Sequence, residues 1–146
     1  MTETVMAFDF GERRIGVAVG NTLTATAEAL TTIEAEANTA RLAAVRHLVK
    51  EWQPARFVLG EPSHEDGRPH ELMPAVRKFG NRLKEQFKLP VDYVNEYLSS
   101  AEASAQLAAK GVKGFAQKAS LDAVAARVIL QAWFDDPNRA GATHAA

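Results

Sequence analysis

Apolar positions fall first into short strand-length runs and then into helical stripes. Val5-Met6-Ala7-Phe8-Asp9-Phe10 is an apolar run of strand length, Gly11-Glu12-Arg13-Arg14 reads as a turn, and Ile15-Gly16-Val17-Ala18-Val19 reads as a second strand. Thr24 to Ile33 is threonine-rich and alternates weakly, as a more exposed third strand would. The first two runs lie too close together for a helical crossover, so they are expected to pair antiparallel. From about Thr39 to Gln53, Leu42, Val45, Val49 and Trp52 recur at helical spacing, with Asn38 as the expected N-cap and Pro54 as the stop. Arg56 to Gly60 is a short strand, and Glu61 to His70 a polar loop.

Leu72, Val76, Phe79, Leu83 and Phe87 mark an amphipathic helix that tolerates Pro74 in its first turn, and Val91 to Glu96 is the fifth strand. Ser99-Ser100-Ala101-Glu102 forms a capping box ahead of an alanine-rich helix. Lys110 to Lys118 reads as a basic loop, a last helix runs from about Ala119 to Phe134, and residues 135–146 read as a flexible tail. The order βββαβαβαα predicts an α/β fold: one mixed sheet with helices on both faces, in a single domain spanning 1–134.

Composition narrows the class. With 146 residues, 47% hydrophobic and 24% charged, the chain is long enough to close a core and too apolar for disorder. No apolar run approaches the roughly 20 residues of a membrane span, so no membrane partner is expected. No signal peptide is apparent. The absence of cysteine excludes disulfides and thiolate metal sites and agrees with a cytoplasmic location. A net charge of −1 gives no global attraction to nucleic acid, so such a partner would need local basic patches.

Three carboxylates stand out of place for packing. Asp9 lies between Phe8 and Phe10, so strand alternation turns it to the opposite face. Alternatively it caps the Gly11 turn. Glu96 ends the fifth strand, where sites of mixed α/β sheets gather, although taken alone a solvated strand end explains it better. Asp122 shares a helix face with Ala126, Ile129 and Trp133, and the macrodipole alone does not explain an Asp in line with that apolar stripe. Together they suggest a site with hard oxygen ligands, suited to Mg²⁺ or Mn²⁺ and to phosphodiester chemistry.

Arg13 and Arg14 follow Asp9, and Lys110, Lys113 and Lys118 precede Asp122, where they can contact phosphates. Ser99 and Ser100 can orient a phosphate beside Glu96. Arg77, Lys78, Arg82, Lys84 and Lys88 read as the solvated face of their helix, and Trp52 and Trp133 as core. His64 and His70 match no common zinc spacing but suit proton transfer.

Ala7-Phe8-Asp9-Phe10-Gly11 with Arg14-Ile15-Gly16-Val17-Ala18 resembles the opening motif of the YqgF/RuvX family of small bacterial proteins. Gly60-Glu61-Pro62 with Asp66-Gly67, then Asn95-Glu96 with Leu98-Ser99, then Lys118, Asp122, Ala125-Ala126 and Ile129-Leu130 resemble its later motifs in order and spacing. The resemblance spans about Val5 to Phe134. It implies a ribonuclease H-like fold, Asp9, Glu96 and Asp122 as catalytic and metal-binding carboxylates, Mg²⁺ or Mn²⁺, and trimming of the 16S rRNA precursor. Two residues depart from the family pattern. Glu61 stands where an apolar residue is usual, and Tyr97 stands where an Arg is usual, in a position to stack on a base.

Other readings stay open. One is a resolvase cutting a DNA junction, which needs a symmetric dimer, whereas the chain is expected to be a monomer or weak homodimer. A non-catalytic RNA- or transcription-associated binding module is another. A phosphotransferase of the actin and sugar-kinase type is disfavoured, because 146 residues leave no room for the second domain that closes over ATP.

Overall fold

The computed structural model describes residues 3–61, 71–95 and 114–136. Five strands form one sheet in the order β3-β2-β1-β4-β5. They are β1 (Thr4–Phe10), β2 (Arg14–Asn21), β3 (Thr26–Glu34), β4 (Arg56–Glu61) and β5 (Val91–Asn95). The first two pair antiparallel, as do β2 and β3, while β1, β4 and β5 run parallel. The described helices are α1 (Asn38–Trp52), α2 (Met73–Phe87) and α3 (Gly114–Asp135). The helix expected after Ser99 falls outside the described residues.

Strand alternation divides the core into two layers. Met6, Phe8 and Phe10 of β1 join Ile15, Phe57 and Leu59 against α1 and α2, where Phe8 meets Phe79 edge-on at 5.8 Å. Val5 and Ala7 turn the other way and join Ala18, Val58, Ala126, Ile129, Leu130 and Trp133 beneath α3. The central strand is therefore buried on both faces, with Val5 through Phe8 fully buried.

Several boundaries differ from expectation. The third strand starts at Thr26, because the Asn21 side-chain oxygen accepts bonds from the Leu23 and Thr24 amides at 3.0 Å and makes that stretch a turn. Asn38 is the first residue of α1 rather than its cap. Ala37 holds the cap position without a side-chain bond, and its carbonyl accepts from Arg41 N at 3.0 Å. The last helix begins at Gly114, so Gly114 to Lys118 are helical rather than loop, in keeping with the helix propensity of the Ala, Gln and Lys that follow the glycine. Trp52 is 39% exposed rather than core, because it is the last residue of α1, where Gln53 turns left-handed at φ 48°.

The long helix reaches the sheet closely. A Cβ on Gly16 would stand 1.8 Å from the Asp122 carbonyl oxygen and 2.8 Å from the Ala123 amide nitrogen. Backbone cannot yield as a side-chain tip can, so Gly16→Ala must lift α3 from β2. We expect a loss of about 1–3 kcal/mol or more, read as a lower urea midpoint at unchanged m-value. An unchanged midpoint would refute this packing.

Candidate functional site

Three parallel strands end along one edge of the sheet. Phe8 pairs with Leu59 and Leu59 with Tyr93, and two residues on, Glu61 pairs with Asn95. Asp9 thus lies near the carboxyl end of β1, beside the ends of β4 and β5. Glu96 follows Asn95 in sequence but lies outside the described residues, as do Ser99, Ser100, Lys110, Lys113, His64 and His70. Lys118 belongs to the α3 backbone, with its side chain outside the described set.

Register and helix packing place two of the three acidic residues next to one glycine. Asp9 pairs with Gly16 across β1 and β2, on the face that carries Ala7 and Ala18 and packs against α3. The missing side chain at Gly16 seats the Asp122 backbone on that same spot. Asp122 accepts a hydrogen bond from Arg14 Nε at 3.2 Å. The pair is partly buried, with side chains 17% and 28% exposed. Arg14, expected to meet substrate, therefore also balances the charge of Asp122. Arg13 behaves differently: it is 83% exposed and lies 3.6 Å from Glu36. Among the described residues no three His, Cys, Asp or Glu side chains gather at metal-binding range. Asp9 and Asp122 are the two described members of the carboxylate trio expected from the sequence.

The far end of α3 fixes the direction of the helix. The Trp133 indole donates to Asp92 Oδ2 at 2.9 Å, and Arg56 Nη1 donates to the same carboxylate at 3.1 Å. Gln131 bonds the β3 edge: its oxygen accepts from Ala27 N, and its amide donates to Ala25 O, both at 3.0 Å.

Arg41 was not predicted. It is 2% exposed, donates from Nε to Ala35 O and from Nη2 to Gly11 O, both at 2.6 Å, and also reaches Glu12 O. Its guanidinium lies 5.0 Å from the Phe10 ring centre. Burial pulls its pKa below the usual guanidinium value, with Glu36 opposing. It thus clamps the turn that separates Asp9 from Arg14. The available signal was position: Arg41 stands one turn before Val45 on the buried stripe of α1.

On the other face of the edge, Arg77 ion-pairs with Glu61 and stacks on Tyr93, its guanidinium 4.1 Å from the ring centre. It is therefore not simply part of a solvated helix face. Burial raises the Tyr93 pKa, Arg77 lowers it by charge and by hydrogen bond, and Glu61 raises it.

A mixed five-stranded sheet with helices on both faces and acids at its carboxyl edge defines a ribonuclease H-like protein. In line with that class, the T. thermophilus RuvC bound to a Holliday junction substrate superposes at a TM-score of 0.54, with 18% identity, over 90% of this chain and 93% of that one. The RuvX family model, described as Holliday junction resolvase, matches residues 3–136, and the chain belongs to this family. Relatives carrying the printed name "Putative pre-16S rRNA nuclease" include one from Dechloromonas aromatica, 52% identical over 92% of this chain and 92% of its own length. Another, from Methylobacillus flagellatus, is 53% identical over 90% of each.

The Tyr93 shift has a checkable consequence. A phenol whose folded pKa lies above its unfolded value binds its proton more tightly when folded. Its contribution to stability is thus complete below about pH 10 and declines as pH rises past that value. Phenolate absorbance should show a transition above pH 10 that Tyr93→Phe removes. A titration unaltered by that substitution would contradict the half-buried phenol.

Proposed function

We propose that this chain is a metal-dependent endonuclease that hydrolyses phosphodiester bonds, with the 16S rRNA precursor as its substrate. The observation that carries this reading is the placement of Asp9 and Asp122 about Gly16, on one face of the carboxyl edge, with Glu96 directly following β5. The names of the relatives support the same substrate. Asp9, Glu96 and Asp122 would hold Mg²⁺ or Mn²⁺, because carboxylate oxygens suit these hard cations. Such ions, when bound, supply activation of a water and stabilisation of the leaving oxygen, in a two-metal arrangement.

The chain's own groups do the rest. Arg14 orients Asp122 through the Nε bond and brings positive charge to the edge. Arg13, Ser99, Ser100, Lys113 and Lys118 serve as phosphate contacts. The protein works in the cytoplasm, as a monomer or weak homodimer. No helix among the described residues is long and apolar enough to cross a membrane. The family description favours a second reading, cleavage of a DNA junction.

An end-labelled RNA carrying a 16S precursor end, beside a four-way DNA junction, separates these readings. Cleavage of the RNA with Mn²⁺ or Mg²⁺, its loss in EDTA, and a fall of at least about a hundredfold in Asp9→Asn are expected. Selective cutting of the junction would favour the resolvase. No cutting of either by folded, metal-supplied protein would sink the nuclease and leave a binding module.

A further inference from the structure

Glu61, Arg77 and Tyr93 share the carboxyl edge with Asp9 but lie on the other face of the sheet. Glu61 is the last residue of β4, in line with Leu59 and the core under α1 and α2, whereas Asp9 lies on the α3 face. Three elements build the cluster, and the fit is close. A Cβ on Gly80 would stand 2.1 Å from the Tyr93 hydroxyl, so the glycine makes room for the phenol against α2. The ring then becomes a platform for the Arg77 guanidinium, which Glu61 braces from β4.

Stability alone is a weak reason for this arrangement. Half of the Arg77 side chain is in water, and exposed ion pairs contribute about 1 kcal/mol or less. A guanidinium held flat on a ring and braced by a carboxylate has lost much of its freedom in advance. That favours bidentate capture of a phosphate. The surroundings agree in sign. Arg77 stands in the second turn of α2, whose first turn contains no acid to offset the positive end of the helix dipole. Lys78, Arg82, Lys84 and Lys88 follow along a helix whose one acid is Glu85, in a chain of net charge −1.

We propose that Arg77, laid on Tyr93 and braced by Glu61, is a backbone-phosphate contact for the nucleic-acid strand as it crosses the carboxyl edge. The contact lies on the face opposite Asp9 and Asp122. This rests on the reading of the chain as a nucleic-acid enzyme and extends it to a surface that the acids do not reach. Glu61 sets the strength of the contact by offsetting the Arg77 charge.

The test is binding of labelled single-stranded RNA by fluorescence anisotropy across a salt series. It uses full-length protein in the Asp9→Asn background with EDTA, so that cleavage does not intervene. Arg77→Gln should weaken binding and flatten the log–log salt slope by about 0.7 to 1. Arg77→Lys, which keeps the charge, should retain the slope with weaker binding. Glu61→Gln, whose amide oxygen can still accept from Arg77 and keep the brace while the offsetting charge is gone, should strengthen binding a few-fold. Opposite signs for Arg77→Gln and Glu61→Gln are a signature that loss of a mere structural brace would not give. Unchanged affinity and slope in Arg77→Gln, or equal weakening in both variants, would overturn the proposal. Failure of the background protein to bind RNA would overturn it together with the nuclease reading. If the slope changes as expected while wild-type protein cleaves nothing, the phosphate contact stands and only the nuclease reading falls.

Discussion

Everything at the carboxyl edge depends on the absence of a side chain at Gly16. The position faces α3, and there the helix backbone comes nearer to the strand than any Cβ would permit. A helix normally packs on a sheet through a layer of side chains, which would keep Asp122 a full residue's width from β2. Here that layer is missing at one point, and the helix settles onto β2 at Asp122 and Ala123. Because Gly16 is also the cross-strand partner of Asp9, one missing methyl group makes Asp9 and Asp122 neighbours of the same residue. The far end of α3 cannot swing to compensate, since Trp133 is tied to Asp92 and Gln131 to the β3 edge.

The hairpin that receives the helix needs its own support. Asp9 and Arg14 flank a short turn whose carbonyls face inward, and buried carbonyls without donors are costly. Arg41 supplies those donors from α1, reaching Gly11 and Glu12 on one side and Ala35 on the other. A buried guanidinium is tolerated because its donors reach backbone carbonyls and its face meets Phe10. The clamp comes from one face of the sheet and the acids lie on the other. The geometry of the candidate site is thus set by packing on both.

The alternation in β1 was legible because a strand buried on both faces has few ways to hide an acid. Asp9 between two phenylalanines therefore signalled its orientation. Asp122 was legible for the matching reason in a helix, through its alignment with Ala126, Ile129 and Trp133. What the chain did not reveal were interactions whose partners lie far away in sequence. Arg41, Gln131 and Arg77 each carry an ordinary polar residue's signature. Their roles follow from a hairpin, a strand edge and a tyrosine brought to them by the fold. Trp52 failed in the other direction: its helical spacing is right, but the helix ends there, so periodicity extended the core one residue too far. The start of α3 was misplaced because Gly114 reads locally as loop, although a glycine that opens a helix costs less than one within it.

The division of charge across the edge bears on how a polyanion approaches. Asp9 and Asp122 concentrate negative charge on the α3 face, and Arg14 offsets only part of it. A phosphate drawn to that face would meet repulsion unless a cation intervened, so the acids by themselves cannot supply affinity. A net charge of −1 offers no long-range steering to make up the difference. Affinity then rests on local basic contacts. The described part of the edge offers a candidate for such a contact on the other face, where α2 carries basic residues and no acid in its first turn. Separating the two functions has a physical advantage. A cation directly beside a carboxylate pair pairs with it and is less able to hold a phosphate, whereas one further along the strand's path keeps its charge for the backbone, because Coulomb energy falls with distance. In the proposed arrangement a strand held on the α2 face crosses the edge to the acids with its affinity already supplied elsewhere.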